Sequence, residues 1–227
     1  CCQSWLPLNP DGNANQTPDL AFNTCISFMV NCNLQHYSGE SGLTYFTQLF
    51  VIMLFQFITA ACGMAAMAGI MKALAAKTTK AIGNFWVYLV RSTTRILMPL
   101  SLLVGILLVI NGTPMSFDGK QTITTLEGAE QVISQGPTAA IVPIKQLGTN
   151  GGGYFGTNSA HPLENPNAFT NIIEMTSLLL IPAACCFTFG IGVKNTKQGK
   201  AIFAAMLILL VIFTGVIAVN EHAGTPQ

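Results

Sequence analysis

The sequence predicts an all-α polytopic membrane protein built from repeats of spanning helix, re-entrant pore loop and spanning helix. Three observations carry that prediction. Hydrophobic residues fill 51% of the 227 positions and charged residues only 8%, against about a quarter charged in a soluble domain. Four apolar runs are long enough to cross a bilayer, which takes about 20 residues at a rise of ~1.5 Å each. Among them lie two polar, irregular stretches, each entered through an apolar helix too short to span.

The chain opens on CCQSWLPLNP, with no initiator Met or signal peptide, and runs straight into an external loop. An external segment needs a membrane-embedded element before it to cross, so the chain is expected to be the middle of a longer polytopic protein. In TPDLAFNTCISFMV, Thr17 reads as a helix N-cap, Pro18 as the first helical position and Asp19 as a first-turn acid. That helix of about three turns leads into VNCNLQHYSGES. The first span is expected from Leu43 to Met71, without a charge. The second runs from Phe85 to Ile110; Arg91 and Arg95 near its start read as snorkelling side chains, and Pro99 as a kink. Gly136 and Pro137 open AAIVPIKQL, where Pro143 is expected to start a short helix rather than interrupt one. GTNGGGYFGTNS follows, and Asn165 with Pro166 reads as the cap of the next span. The last two spans are expected over Ile172 to Val193 and Ala201 to Val219.

Charge orients these spans. Lys72, Lys77 and Lys80 follow the first, and Lys194, Lys197 and Lys200 follow the third, which places both short loops in the cytoplasm. Arg91 and Arg95 fall on that side. The carboxylates Asp11, Asp19, Glu40, Asp118, Glu127, Glu130, Glu164, Glu174 and Glu221 fall in or beside the opposite segments, so residues 1–42, 111–171 and the C-terminus face outside. The partner this composition demands is the lipid bilayer. The ten Lys and Arg are scattered rather than grouped on a face, which excludes nucleic acid. The seven cysteines show no paired ligand spacing, and Cys62, Cys185 and Cys186 read as small apolar filler.

The external segments divide into two similar units of short helix, polar strand and long helix, with Asn31 and Asn150 at matching points 119 residues apart. Non-helical backbone at membrane depth leaves N–H and C=O groups unsatisfied at several kcal/mol each unless protein or a watery path surrounds it. Carbonyls turned into such a path replace the hydration shell of a cation. Glycines permit the required φ values and leave the opening clear. The short helix aims its partially negative C-terminal end at the ion. No carboxylate lies between Gly148 and Ala160, so neutral dipoles do the work, which suits a monovalent ion better than Ca²⁺ or Mg²⁺. A phosphate-cradling P-loop would need a Lys after the glycines, and none follows. A solvated external loop accounts for GTNGGG taken alone; the matching pair of units favours a pore. His161 and Glu164 read as a structural turn in preference to a metal pair.

LGTNGGGYFGTNSAHPLENPNAFTN, with NTCISFMVNCNLQHYSGES, the WLPLNP opening and TLEGAEQ at 125–131, closely resembles the pore-forming, potassium-binding subunit of the bacterial Kdp potassium-transporting ATPase. The resemblance implies potassium-channel-like repeats of helix, pore loop and helix, of which this chain supplies about half. Residues 1–84 would hold the first pore loop and the following helix of repeat one, residues 85–193 the complete second repeat, and residues 194–227 the first helix of repeat three. It implies potassium-binding filter positions at Val30, Asn31, Cys32 and Asn33, with Gln35 near the mouth, and at Thr149, Asn150, Gly151, Gly152 and Gly153, with Asn158 further along the loop. Cys32 would pair with Gly151 across the repeat. The implied bound ion is potassium, without an ATP site or catalytic residue in this chain. The implied partners are a P-type ATPase catalytic subunit and small accessory membrane subunits, in the bacterial inner membrane, in an ATP-driven high-affinity uptake complex. From another class, a cation-coupled secondary transporter with re-entrant loops usually carries an ionisable residue within a span, and the first and fourth spans have none. A membrane scaffold whose external loops bind a partner would tolerate changes in the glycines.

Overall fold

The computed structural model describes residues 1–76, 78 and 81–224; the expected cytoplasmic Lys77 and Lys80 lie outside the described residues. In chain order the elements are helix α1 (Pro18–Met29), span α2 (Tyr45–Ala75), span α3 (Phe85–Ile110), strands β1 (Gly119–Thr124) and β2 (Glu130–Gln135), helix α4 (Thr138–Leu147), and spans α5 (Ala168–Gly192) and α6 (Thr196–Ala223). The four spans fall where apolar length puts them. Their most apolar windows are at most 22% buried, so the hydrophobic side chains face outward, as lipid-facing helices require.

The chain divides into two compact units, Cys1–Ala66 with Asn84–Leu180, and Met67–Gly83 with Ile181–Gln227. In the second, the end of α5 packs on α6 through Phe187 and Phe203, with ring centroids 5.1 Å apart, and through Cys186 Sγ, 3.5 Å from Met206 Sδ. The Asn195 side chain caps α6 by accepting from Gln198 N.

The first unit holds both short helices and both polar strands. Spans α2 and α3 each contain one π turn, at Gln48–Ile52 and Thr93–Leu97. The second lies just before Pro99, which has no N–H to offer the Arg95 carbonyl; the wider turn absorbs the mismatch. Arg91 and Arg95 are both exposed.

Two local expectations are corrected, and a third is refined. Pro143 lies inside α4 rather than at its start. Its missing N–H frees the Ala139 carbonyl, which packs against α3 at Gly105, where a Cβ would sit 3.2 Å from that oxygen. Asn167, not Asn165, caps α5: its Oδ1 accepts from the amides of Phe169 and Thr170. Asn165 Oδ1 instead takes the Thr170 hydroxyl at 2.7 Å. Thr17 is the N-cap residue of α1, with Pro18 following, but its side chain makes no capping bond. Its hydroxyl bonds Asp19 instead, and this chiefly holds the Asp19 carboxyl below the usual range.

The hairpin was not anticipated. β1 and β2 pair antiparallel from Gly119↔Gln135 to Thr124↔Glu130, and the Lys120 amide ties it to Asp11 Oδ1 at 2.7 Å. The clues were the alternating KQTITT and EQVISQ about a turn at Gly128, which has φ +84°.

Candidate functional site

Helices α1 and α4 end in the same way. Val30 and Gly148 are their C-caps. Beyond them the Cys32 amide donates to the Ser27 carbonyl and the Asn150 amide to the Lys145 carbonyl, both at 3.0 Å. Left-handed residues then fall at matching places: Asn31 (φ 60°) and Thr149 (φ 52°), then Asn33 (φ 51°) and Gly151 (φ 84°), with Gly152 (φ 69°) added in the second strand. The repeat register is therefore that of Gln35 and Gly153, 118 residues apart, and not the expected 119. Cys32 aligns with Asn150 rather than Gly151, and Asn31 with Thr149. Matching asparagine letters misled; the helix ends set the register.

Asn31 and Asn150 meet rather than correspond. Asn150 Nδ2 donates to Asn31 Oδ1, and also reaches Thr59 Oγ1 at 3.2 Å and the Gln56 carbonyl at 3.3 Å. In an ordinary extended strand successive carbonyls point to opposite sides. Left-handed residues break that alternation and turn neighbouring carbonyls toward one side. Glycine does this without strain at 151 and 152. Thr149 is β-branched and does it at a cost, of the kind found at functional sites.

Three carbonyls of the second strand are held by amides from the first repeat. Asn33 Nδ2 donates to the Asn150 carbonyl at 2.6 Å, Gln35 Nε2 to Gly153 at 2.9 Å, and Gln56 Nε2 to Gly151 at 3.4 Å. A carbonyl has two lone pairs, so each keeps one acceptor direction open. Among the described residues no donor reaches the Thr149 or Gly152 carbonyl. Asn33, Asn150, Gly152 and Gly153 are buried, whereas Val30 and Cys32 are exposed.

The second strand leaves the site through Tyr154 and Phe155, which pack with Tyr45 and Ile141 into a buried cluster. Tyr154 fits because two glycines flank it: a Cβ at Gly39 would lie 2.1 Å from its carbonyl oxygen, and one at Gly136 would lie 2.0 Å from its hydroxyl. Burial pushes that phenol well above its usual range. Burial likewise pushes Tyr37, beyond the first strand, up to about 12.

Asn158 stands off the strand; its Oδ1 accepts from Lys145 Nζ at 2.7 Å. Glu164 is fully buried in an ion pair with Lys145. His161 stacks flat on Phe155, centroids 3.6 Å apart, and its Nδ1 accepts from the Leu163 amide at 3.1 Å. Its burial lowers its pKa. The two therefore serve the turn, and among the described residues no cluster of metal-ligating side chains forms. Gln56, Thr59 and Lys145 were not anticipated. Gln56 had a signal, a primary amide deep in an apolar span; Lys145 and Glu164, 19 residues apart, had none.

Two short helices, two strands of matched handedness and their cross-braces thus form one polar constellation. A profile of the potassium-transporting ATPase A subunit family matches residues 1–227. The chain belongs to that family. It is 71% identical over 227 residues to the potassium-transporting ATPase potassium-binding subunit of Parabacteroides distasonis, and 68% identical over 225 residues to that of Bacteroides thetaiotaomicron. Identity to the potassium-binding subunit of Geobacillus kaustophilus is 49% over 224 residues. Each alignment covers 99% of this chain and 40% of the relative, so the chain spans about two-fifths of the length of these A subunits.

Proposed function

We propose that the two strands form half of a filter that takes potassium, as substrate, from outside and hands it into the membrane. The observation that carries this reading is the matched end of α1 and α4, each followed by left-handed residues and joined by the bonds from Asn33 and Gln35 to the Asn150 and Gly153 carbonyls. An arriving ion exchanges water for carbonyl oxygens already held at fixed separation, and rigid spacing is what lets such oxygens discriminate between ions. Both helices turn their C-terminal ends toward this point and add a field favouring a cation. The positions that contribute are Val30, Asn31, Cys32 and Asn33 in the first strand and Thr149 to Gly153 in the second. Gln35 and Asn158 act by holding the backbone. Residues 1–84, 85–193 and 194–227 correspond to the end of one repeat, a whole repeat and the start of a third. The energy comes from elsewhere: a P-type ATPase catalytic subunit, with small accessory membrane subunits, drives uptake across the bacterial inner membrane, and this chain contributes no catalytic residue.

The test is Gly151→Asp in the full-length protein within its complex. A Cβ at Gly151 finds Asn33 Cβ no closer than 4.0 Å, so the change acts through backbone at φ +84° and through charge rather than through a clash. The half-saturating potassium concentration should rise about ten-fold or more, with rubidium and ammonium less well rejected. Unchanged potassium affinity and discrimination would sink the filter reading.

A further inference from the structure

Behind the second strand lies a buried ionic cluster that the filter does not use as ligands. Lys145, in the last turn of α4, directs its ammonium to Asn158 Oδ1 at 2.7 Å, to Ser159 Oγ at 2.5 Å and to Glu164 Oε2. The other carboxylate oxygen of Glu164 accepts the Phe155 amide at 2.9 Å. Ser159 Oγ passes the network on by donating to Glu174 Oε2 of α5 at 2.5 Å, and Gln146, the neighbour of Lys145, donates to the same oxygen at 2.6 Å. Lys145, Glu164 and Glu174 are all buried. Four pieces of chain are therefore tied at one point: the end of the pore helix, the strand's exit at Phe155, the turn at 158–164, and a span.

The strand rests directly on this cluster. A Cβ at Gly153 would lie 2.5 Å from Glu164 Oε1 and 3.1 Å from the Asn158 Cα, so the glycine backbone packs against the carboxylate. The Lys145 carbonyl also receives the Asn150 amide at 3.0 Å, which makes the same residue the anchor of the strand's entrance. In the first loop the equivalent of Lys145 is Ser27, whose carbonyl likewise receives the Cys32 amide, and whose hydroxyl accepts the Leu34 amide at 2.8 Å and donates to the Leu34 carbonyl at 3.3 Å, so only neutral bonds hold that strand.

We propose that Lys145 and Glu164, with Ser159 and Glu174, are positioning residues that set ion discrimination by fixing the second filter strand from behind. This rests on the filter reading of that strand. Two physical effects act together. The pair clamps entrance and exit of a strand whose glycines have no side chains of their own to anchor it. It also keeps the ammonium neutralised beside the negative end of α4, where an uncompensated positive charge would oppose an arriving cation. Sub-ångström placement is what a filter needs, and supporting shells supply it.

Glu164→Gln in the full-length protein, assembled in its complex and assayed by potassium and rubidium uptake, tests the proposal. The amide keeps the shape and the acceptor for Phe155, and removes the charge. Half-saturating potassium should rise about ten-fold and discrimination against rubidium should fall several-fold, while the maximal rate per assembled complex stays within about two-fold. A fall in maximal rate alone, or no change in a correctly assembled complex, overturns the proposal. If Glu164→Gln does not assemble, Ser159→Ala decides: it breaks the Lys145 and Glu174 contacts without a charge change, and should shift both affinity and discrimination about three-fold the same way. Unshifted values there overturn it equally. Gly151→Asp serves as comparator. If Gly151→Asp shifts discrimination and the cluster variants do not, the positioning role fails alone; if neither does, the filter reading fails with it.

Discussion

The two polar loops share a backbone plan and differ in how that plan is held. The first strand is made of residues with side chains, Asn31, Cys32, Asn33, Leu34 and Gln35, of which Cys32 and Leu34 are exposed. Helix α1 leaves Phe22, Ile26 and Met29 exposed. The second strand is glycine-rich and largely buried, and α4 before it buries Ile141, Val142, Ile144 and Leu147. Glycine gives carbonyls freedom to turn but supplies nothing to tether them. The tethers come from elsewhere: Asn33 and Gln35 from the opposite strand, Gln56 from α2, and the Lys145–Glu164 pair from behind. One loop acts as scaffold and the other as the scaffolded surface, so changes in the first should be felt through the second.

The largest effect expected from this contrast is at Gly153. An added methyl there would meet Glu164 Oε1 at 2.5 Å, and the ion pair with Lys145 prevents that carboxylate from retreating. Gly153→Ala should abolish high-affinity uptake or assembly, as read by growth on limiting potassium. The aligned position in the first loop carries a Gln, so side-chain bulk is tolerated there; wild-type growth of Gly153→Ala would break the distinction between the loops.

Next in size is Gln35→Arg. It replaces the amide that donates to the Gly153 carbonyl, 2.9 Å away, by a longer guanidinium that does not fit the same geometry, and adds a positive charge near the mouth. Half-saturating potassium should rise about ten-fold in uptake assays. An unaltered value would confine the site to the second loop. Ser27→Ala should do less. It leaves the Leu34 amide without its 2.8 Å acceptor, a loss of about 1 kcal/mol, and so should move half-saturation by no more than about five-fold.

Much of this is legible in the sequence. Span length is a property of composition, so α2, α3, α5 and α6 could be placed to within a few residues. Pro18 marked the start of α1 because proline restricts the first turn in any context, whereas Pro143 misplaced the start of α4, which lies at Thr138. The register was not legible, because Asn31 and Asn150 look like counterparts in letters, while helix ends and φ signs align Asn31 with Thr149. Nor was the brace: Lys145 and Glu164 come together only because the turn at 158–164 folds back onto α4. The hairpin escaped because two strands of six residues make a short, weak alternation beside strong membrane signals.

The smallest predicted effect belongs to the histidine of the second loop. His161 lies flat on Phe155 and accepts the Leu163 amide through Nδ1, which only a neutral ring can do. Burial lowers its pKa below the ordinary 6.5, against the opposing pull of Glu40 and Glu164. The unfolded loop therefore takes up a proton more readily than the folded one. Stability from the neutral ring is fully present above 6.5 and is lost as pH falls below that value toward the folded pKa. In the solubilised complex, the thermal midpoint should fall slightly between about pH 7.5 and about pH 5.5. His161→Phe, which keeps the stacked ring, should flatten that slope. Equal slopes for the parent and His161→Phe would show that the second loop's exit does not depend on the charge state of its histidine.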